Sequence, residues 1–367
     1  MQKLHKTARR LVACLARLEG RFHSWFVDAS PFSAYLYDRK NAREFANVFC
    51  HEAMLADKVR VDAYREGIRR GVKKGDVVVD IGAGSGILSF LAARSAQKVY
   101  AIEHADVIDM ARRIGADNGI GNVEFIARNS RDVTLPCRAD VIVHEQIGGE
   151  NPLSENMIAN LLDARRRLLK PGGRIIPNRF DIFIEPIQLK DEYAVELLWE
   201  MNIADIDFRS TAPARRPMSG EQVTSHERRT ISVAMVEQCL CDPQPILSFD
   251  LETMEESDIP NRLRYRNIAA RDGRIDGLCI YFKASFADDL AIETAPTGPV
   301  TSWAMLMYRL ERTYVARGEA VEYDLEMGSI LNDCSWSFTW LRPQAGRSRS
   351  GLAAALSFEV ARARGSV

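Results

Sequence analysis

Val77-Val78-Val79-Asp80-Ile81-Gly82-Ala83-Gly84-Ser85-Gly86 is a β-branched run that meets a glycine-rich turn, and Ile87 to Arg94 continue from it at helical spacing. A β-branched run of this length predicts a buried strand, and the glycines predict a tight turn into a helix. Working outward, Val99 to Glu103 form the next strand, a helix runs through Met110 and Ile114, and Asp140 to Glu145 form another short buried strand. A helix around Ile158 to Leu169 should stop at Lys170-Pro171-Gly172-Gly173, with Arg174-Ile175-Ile176 as a strand after it. Strand and helix alternating at this pace predict a parallel sheet covered on both faces, a Rossmann-like α/β domain.

Past Pro177 the period changes to two. Ile182/Ile184, Leu247/Phe249/Leu251, Cys279/Tyr281/Lys283, Val321 to Met327 and Trp336/Phe338/Trp340 predict an antiparallel β domain, sandwich or barrel. Between about 190 and 228 a helical stretch, Glu192 to Met201, gives way to a Pro-, Ser- and Arg-rich run that reads as an inserted arm or loop. The division is then 1–45, an N-terminal segment; 46–177, the α/β domain; 178–341, the β domain with its insert; and 342–367, a C-terminal extension.

Several classes are disfavoured. Lys+Arg 49 against Asp+Glu 50 leave a formal charge of −1, so no global field draws the chain onto nucleic acid or anionic lipid. No apolar run reaches the roughly 20 residues of a membrane span. The seven cysteines are odd in number and lack CxxC spacing, and the six histidines show no close ligand spacing, so neither a disulfide framework nor a metal site is expected. These features place the chain in the cytoplasm, without membrane or nucleic-acid partners. At the N-terminus, Leu4, Ala8, Leu11, Leu15 and Leu18 mark one stripe of a helix, interrupted as a leader by Arg17.

The chemistry gathers where strands end. The turn reads G-x-G-x-G rather than the G-x-G-x-x-G of dinucleotide binders, which suits a ligand without phosphates such as S-adenosylmethionine. Glu103 ends the second strand, placed to accept hydrogen bonds from two ribose hydroxyls. Glu145 ends another strand, and Gln146-Ile147-Gly148-Gly149-Glu150-Asn151-Pro152-Leu153-Ser154-Glu155 follows it. In open α/β sheets such a loop borders the ligand crevice, and its carboxylates can grip a cation. Solvated acids on a loop are the plainer explanation of such a cluster. Arg165-Arg166-Arg167 reads as a solvated helix face, His144 as a packed strand residue, His104 as a surface histidine, and Trp336 and Trp340 as core.

With these residues in place, the chain resembles the protein arginine methyltransferases across roughly residues 45 to 341. The resemblance rests on His51-Glu52-Ala53-Met54-Leu55-Ala56-Asp57-Lys58-Val59-Arg60, on Val78 to Gly86 with Glu103, on Glu145 and Glu155 as a double-glutamate loop, and on Thr294-Ala295-Pro296 with Thr301-Ser302-Trp303. It implies a Rossmann-like domain that uses S-adenosylmethionine, a β-barrel, and an arm at 190–228 that makes a homodimer. It further implies that Arg60 pairs with the donor's methionine carboxylate and that Asp80 supports that end. Gly82 and Gly84 would line the cofactor, Glu103 would hold the ribose, His51 and Met54 would cover the pocket, and Ser130 would stand at the adenine. Glu145 and Glu155 would be the catalytic pair on a guanidinium, with Ser302 and Trp303 on the substrate side. The sequence departs from the family at four points. Asn41-Ala42-Arg43-Glu44-Phe45 stands where a helix with two tyrosines is usual, Arg131 replaces an acid, Ser302 replaces a histidine, and the two glutamates are ten apart instead of nine. The extra residue makes Glu150 a competitor of Glu155 for the second carboxylate.

The implied chemistry has a physical logic. A guanidinium is a poor nucleophile, since its lone pairs are delocalised and its pKa exceeds about 12. Two unit charges about 5 Å apart at an effective ε of 20 repel by roughly 3 kcal/mol, so a cation approaching a sulfonium needs anionic help. Two carboxylates offset that repulsion, fix the nitrogen by forked hydrogen bonds and can take its proton. The expected reaction is methyl transfer to a guanidino nitrogen, in a protein, a peptide, free arginine or a related metabolite. Methylation of another amine or an oxygen, and an inactive cofactor-binding dimeric scaffold, are the alternatives.

Overall fold

The computed structural model describes Asn41, Phe45 and residues 47–194, 196, 201–208, 221–223, 228–331 and 335–341. The apolar stripe of residues 4–18 and the extension 342–367 lie outside the described residues.

Two helices lead in, α1 (Val48–Ala56) and α2 (Lys58–Gly71), capped by Asn47 and Asp57, whose side chains accept from the N–H groups of Phe49 and Arg60. Such caps satisfy N–H donors that a helix start leaves unpaired. The α/β unit follows as β1 (Val77–Ile81), α3 (Ile87–Ala93), β2 (Lys98–Glu103), α4 (Ile108–Asp117), β3 (Val123–Ala127), β4 (Ala139–His144), α5 (Met157–Leu168) and β5 (Leu169–Ile176). Its five strands lie in the order β3-β2-β1-β4-β5, all parallel. Val78, Val79, Val141, Ile142 and Val143 are fully buried, as β-branched residues of a sheet covered on both faces should be. Strand order reverses beside β1, so the loops after β1 and β4 open on one crevice.

The rest is antiparallel: β6 (Arg179–Leu189), a short hairpin of β7 (Asn202–Ile203) and β8 (Ile206–Asp207), then β9 (Glu221–Val223), β10 (Arg228–Ile231), β11 (Val236–Cys239), β12 (Leu247–Asp250), β13 (Arg262–Ile268), β14 (Gly273–Ala287), β15 (Leu290–Glu293), β16 (Met305–Val315), β17 (Ala320–Met327) and β18 (Trp336–Leu341). A seven-stranded sheet built on β6, β14 and β16 faces a four-stranded sheet, β13-β17-β18-β9. Period-two alternation sends Ile182 and Ile184 into one core with Tyr323 and Phe338 of the other sheet, and Tyr323 Oη donates to the Ile184 carbonyl at 2.7 Å. Trp336 and Trp340 belong to that core. The two domains meet where Tyr64 of α2 packs edge-on against Phe286 of β14, ring centroids 4.9 Å apart.

Three expectations are corrected. Lys170-Pro171-Gly172-Gly173 lies inside β5 instead of breaking the chain before it; β5 is an edge strand, where a proline costs no ladder bond. The segment from Glu192 to Met201 is not helical at its described ends. Asp191–Tyr193 form one 3-10 turn, Met201 precedes the β7–β8 hairpin, and residues 195 and 197–200 lie outside the described residues. Of the three arginines on α5, only Arg166 is exposed. Arg165 donates to the carbonyls of Leu251 and Met254, and Arg167 to those of Val133 and Ser130. Their planar forks satisfy loop carbonyls that have no ladder partner.

Candidate active site

The glycine turn after β1 takes left-handed backbone at Gly82 (φ +73°) and Gly84 (φ +51°), where a side chain would be strained. A Cβ at Gly84 would stand 3.0 Å from His51 Cε1. The turn thus brings bare backbone to the wall of a cleft also lined by His51, Met54, Arg60, Glu103, Glu145 and Glu155. A smaller cavity continues from it past Ser130 and Arg131, sharing Gly82, Glu103 and Glu155.

Glu103 accepts from Gly84 N at 3.1 Å and from Ala105 N at 2.8 Å. Burial pushes its pKa up, but His104 and these two N–H groups outweigh burial and hold the carboxyl below its usual range, charged and pre-oriented. Asp80 is fully buried at the end of β1. Ser89 Oγ donates to its Oδ2 at 2.6 Å, while Oδ1 has no hydrogen-bond partner among the described residues. Burial raises its pKa to about 7, opposed by Ser89 and reinforced by Glu103.

Arg60, on the first turn of α2, is the hub. One guanidinium nitrogen pairs with the Glu145 carboxylate and the other reaches Ser302 Oγ at 3.4 Å. The guanidinium carbon lies 4.5 Å from the centre of the Trp303 ring. Burial lowers the Arg60 pKa, against the opposing pull of Tyr64, Asp57 and Glu155; an arginine so surrounded stays cationic. The residue expected to hold the donor's carboxylate is therefore bonded to one of the two glutamates expected to hold a guanidinium.

Asp57 joins the domains. Its Oδ1 caps Arg60 N at 3.0 Å, and its Oδ2 accepts from Ser302 N at 2.7 Å. A single carboxylate thus ties the start of α2 to the Thr301-Ser302-Trp303 loop. Trp303 is buried, and its Nε1 donates to the Ile147 carbonyl at 3.1 Å, tying its loop to the one that follows β4.

The structure brings Arg60, Gly82, Gly84, Glu103, Glu145, Glu155, His51 and Met54 to one cleft, with Ser130 at its extension. It does not bring Glu150 there. That carboxylate is exposed and accepts from Thr230 Oγ1 on β10. His144 is buried, as strand alternation implied, with Nε2 3.2 Å from the Pro177 carbonyl. Burial pulls its pKa to about 4. His104, read as a surface residue, lines both cavities beside Glu103. Gln146, Asn41 and Phe45 also line the cleft without having been singled out by chemistry. For Gln146 the signal was its place directly after Glu145.

Two family models match: a methyltransferase domain over residues 72–230 and an arginine methyltransferase oligomerization subdomain over 181–333. Protein arginine N-methyltransferase 6 of Danio rerio is 31% identical over 282 residues, covering 73% of this chain and 78% of the relative. Protein arginine N-methyltransferase 2 of Xenopus tropicalis is 29% identical over 283 residues, 74% of this chain but only 64% of the relative's length. Among solved structures, the Trypanosoma brucei PRMT1 enzyme-prozyme complex with AdoHcy superposes with a TM-score of 0.64 at 24% identity, covering 77% of this chain and 88% of that one. A PRMT6-SAH structure superposes with a TM-score of 0.61 at 19% identity, over 80% and 99%. The chain belongs to the protein arginine N-methyltransferase family.

Proposed function

We propose that this protein transfers a methyl group from S-adenosylmethionine to a guanidino nitrogen of arginine, in a protein, a peptide or as the free amino acid. The observation that carries the reading is that Glu145 and Glu155 line the same cleft as Gly82, Gly84 and Glu103. A cofactor end and an anionic end share one cavity.

The chain's residues suit such a donor. Gly82 and Gly84 supply an approach free of side chains, and Glu103 keeps acceptor capacity beyond its two backbone donors. His51 covers the glycine turn, its Nε2 2.8 Å from the Phe45 carbonyl, and Ser130 stands at the adenine end. When bound, the donor supplies an electrophilic methyl on a sulfonium.

Glu145 is fixed at a strand end, and Tyr64 Oη donates to the His144 carbonyl just before it at 3.0 Å. Glu145 and Glu155 present two carboxylates to the cleft, one Glu145 oxygen already engaged by Arg60, and paired carboxylates suit binding and orienting a guanidinium. Charge drawn towards those oxygens leaves electron density on the remaining nitrogen, and a carboxylate takes the proton it sheds. Arg60 shares Glu145 and so sets how much negative charge faces the substrate. Ser302 and Trp303 form the wall behind Arg60.

The arm reading is supported by the exposed Ile203 and Ile206 of the β7–β8 hairpin and by the match to an oligomerization subdomain; we assign it to a homodimer contact. Five described cysteines are free thiols, in keeping with a reducing, cytoplasmic setting. Among the described residues no helix is long and apolar enough to cross a membrane.

Mass spectrometry after incubation with S-adenosylmethionine and a panel of arginine, arginine peptides and cell protein tests the assignment. A gain of one methyl on a guanidino nitrogen is expected. Methyl gain confined to other groups, or none despite cofactor binding, would contradict it.

A further inference from the structure

The loop between Glu145 and α5 closes into a tight ring. Gly148 N donates to the Pro152 carbonyl at 3.2 Å, Ser154 N to the Asn151 carbonyl at 3.0 Å, and Leu153 N to Asn151 Oδ1 at 3.0 Å. The ring has no slack: a Cβ at Gly148 would fall 2.3 Å from the Asn151 carbonyl oxygen. Asn151 is 3% exposed, and its Nδ2 donates across the domain boundary to the Ile330 carbonyl at 3.4 Å. Two more ties join this loop to the antiparallel domain, Trp303 Nε1 to the Ile147 carbonyl and Thr230 Oγ1 to Glu150. Asn151 itself does not line the cleft, whereas Glu155, four residues on, does.

We propose that Asn151 is a positioning residue for methyl transfer: it docks the lengthened loop on the antiparallel domain and thereby fixes Glu155 opposite Glu145. A primary amide is suited to this task because one side chain must both accept, from Leu153 N, and donate, to the Ile330 carbonyl. The inference rests on the guanidine reading for the role of Glu155, but the docking itself does not.

Asn151→Asp separates the two bonds, since a carboxylate keeps the acceptor for Leu153 N and loses the donor to the Ile330 carbonyl. The expected result is at least a tenfold rise in KM for the arginine acceptor, with S-adenosylmethionine affinity within twofold of the parent. Hydrogen–deuterium exchange across 148–156 should also be faster. Thr230→Val, at the exposed tie, should raise KM severalfold with the same unchanged donor affinity, and it carries the test if Asn151→Asp does not fold. A KM within twofold of the parent, or an equal loss of donor affinity, overturns the proposal. Should the parent methylate no guanidine, the functional reading fails. The docking claim is then judged by exchange alone, and unchanged exchange in Asn151→Asp refutes it.

Discussion

The Arg60 guanidinium lies over the Trp303 ring, 4.5 Å from its centre, so a cation from the α/β side is held by an aromatic face from the β side. A desolvated cation–π contact contributes about 2 kcal/mol, and the Trp303 N–H adds one neutral hydrogen bond of about 1 kcal/mol to the Ile147 carbonyl.

Trp303→Leu removes both. Loss of about 2–3 kcal/mol of Arg60 positioning corresponds to a weakening of S-adenosylmethionine binding by roughly 30- to 150-fold, measurable by calorimetric titration. Trp303→Phe keeps a ring face and should fall between the two proteins. If Leu binds the donor like the parent, Arg60 is not held by this face.

Gly84→Ala tests the bare backbone. Left-handed backbone at φ +51° costs a residue with a Cβ about 1 kcal/mol, and the added methyl would press on His51. Donor affinity should drop about tenfold or more while the melting temperature falls by only a few degrees. Equal donor affinity would show that the turn does not border the cofactor.

How much of this was legible beforehand depended on whether the signal was local. The run from Val77 to Gly86, Glu103 and Glu145 was readable because each residue's place in the cleft follows from its place at a strand end. The strand Val123–Ala127 was not: it is the sheet's edge, its residues are half exposed, and the alternation is broken. The bond from Asp57 to Ser302 N spans 245 positions, and no spacing rule reaches that far. Glu150 and Glu155 were indistinguishable as letters. Only the fold of the ring around Asn151 turns one outward and the other into the cleft. Likewise the forks of Arg165 and Arg167 find carbonyls that a helical wheel cannot show.

Glu185 predicts a pH dependence of stability. It is buried in the antiparallel core, accepts from Tyr265 Oη at 2.8 Å and from Gln244 N at 2.9 Å, and burial raises its pKa from 4.5 to about 7. Unfolded, the carboxyl loses its proton first, so its contribution is full below 4.5 and is lost as pH rises through about 7. The amount is on the order of 3 kcal/mol. Glu185→Gln should therefore flatten the decline in denaturant midpoint across that window. Parallel profiles for parent and variant would refute the assignment.

The most direct test of the account is single-turnover methyl transfer by Glu145→Gln, measured with labelled S-adenosylmethionine and the best arginine acceptor, alongside donor affinity. Amide replacement keeps the shape and an oxygen to which Arg60 can still donate, but removes the charge on which a substrate guanidinium depends. The expected result is a fall in rate of about 10²-fold or more, as for loss of a general base, with donor binding retained. Turnover near that of the parent, with the donor bound, would contradict the role given to this carboxylate.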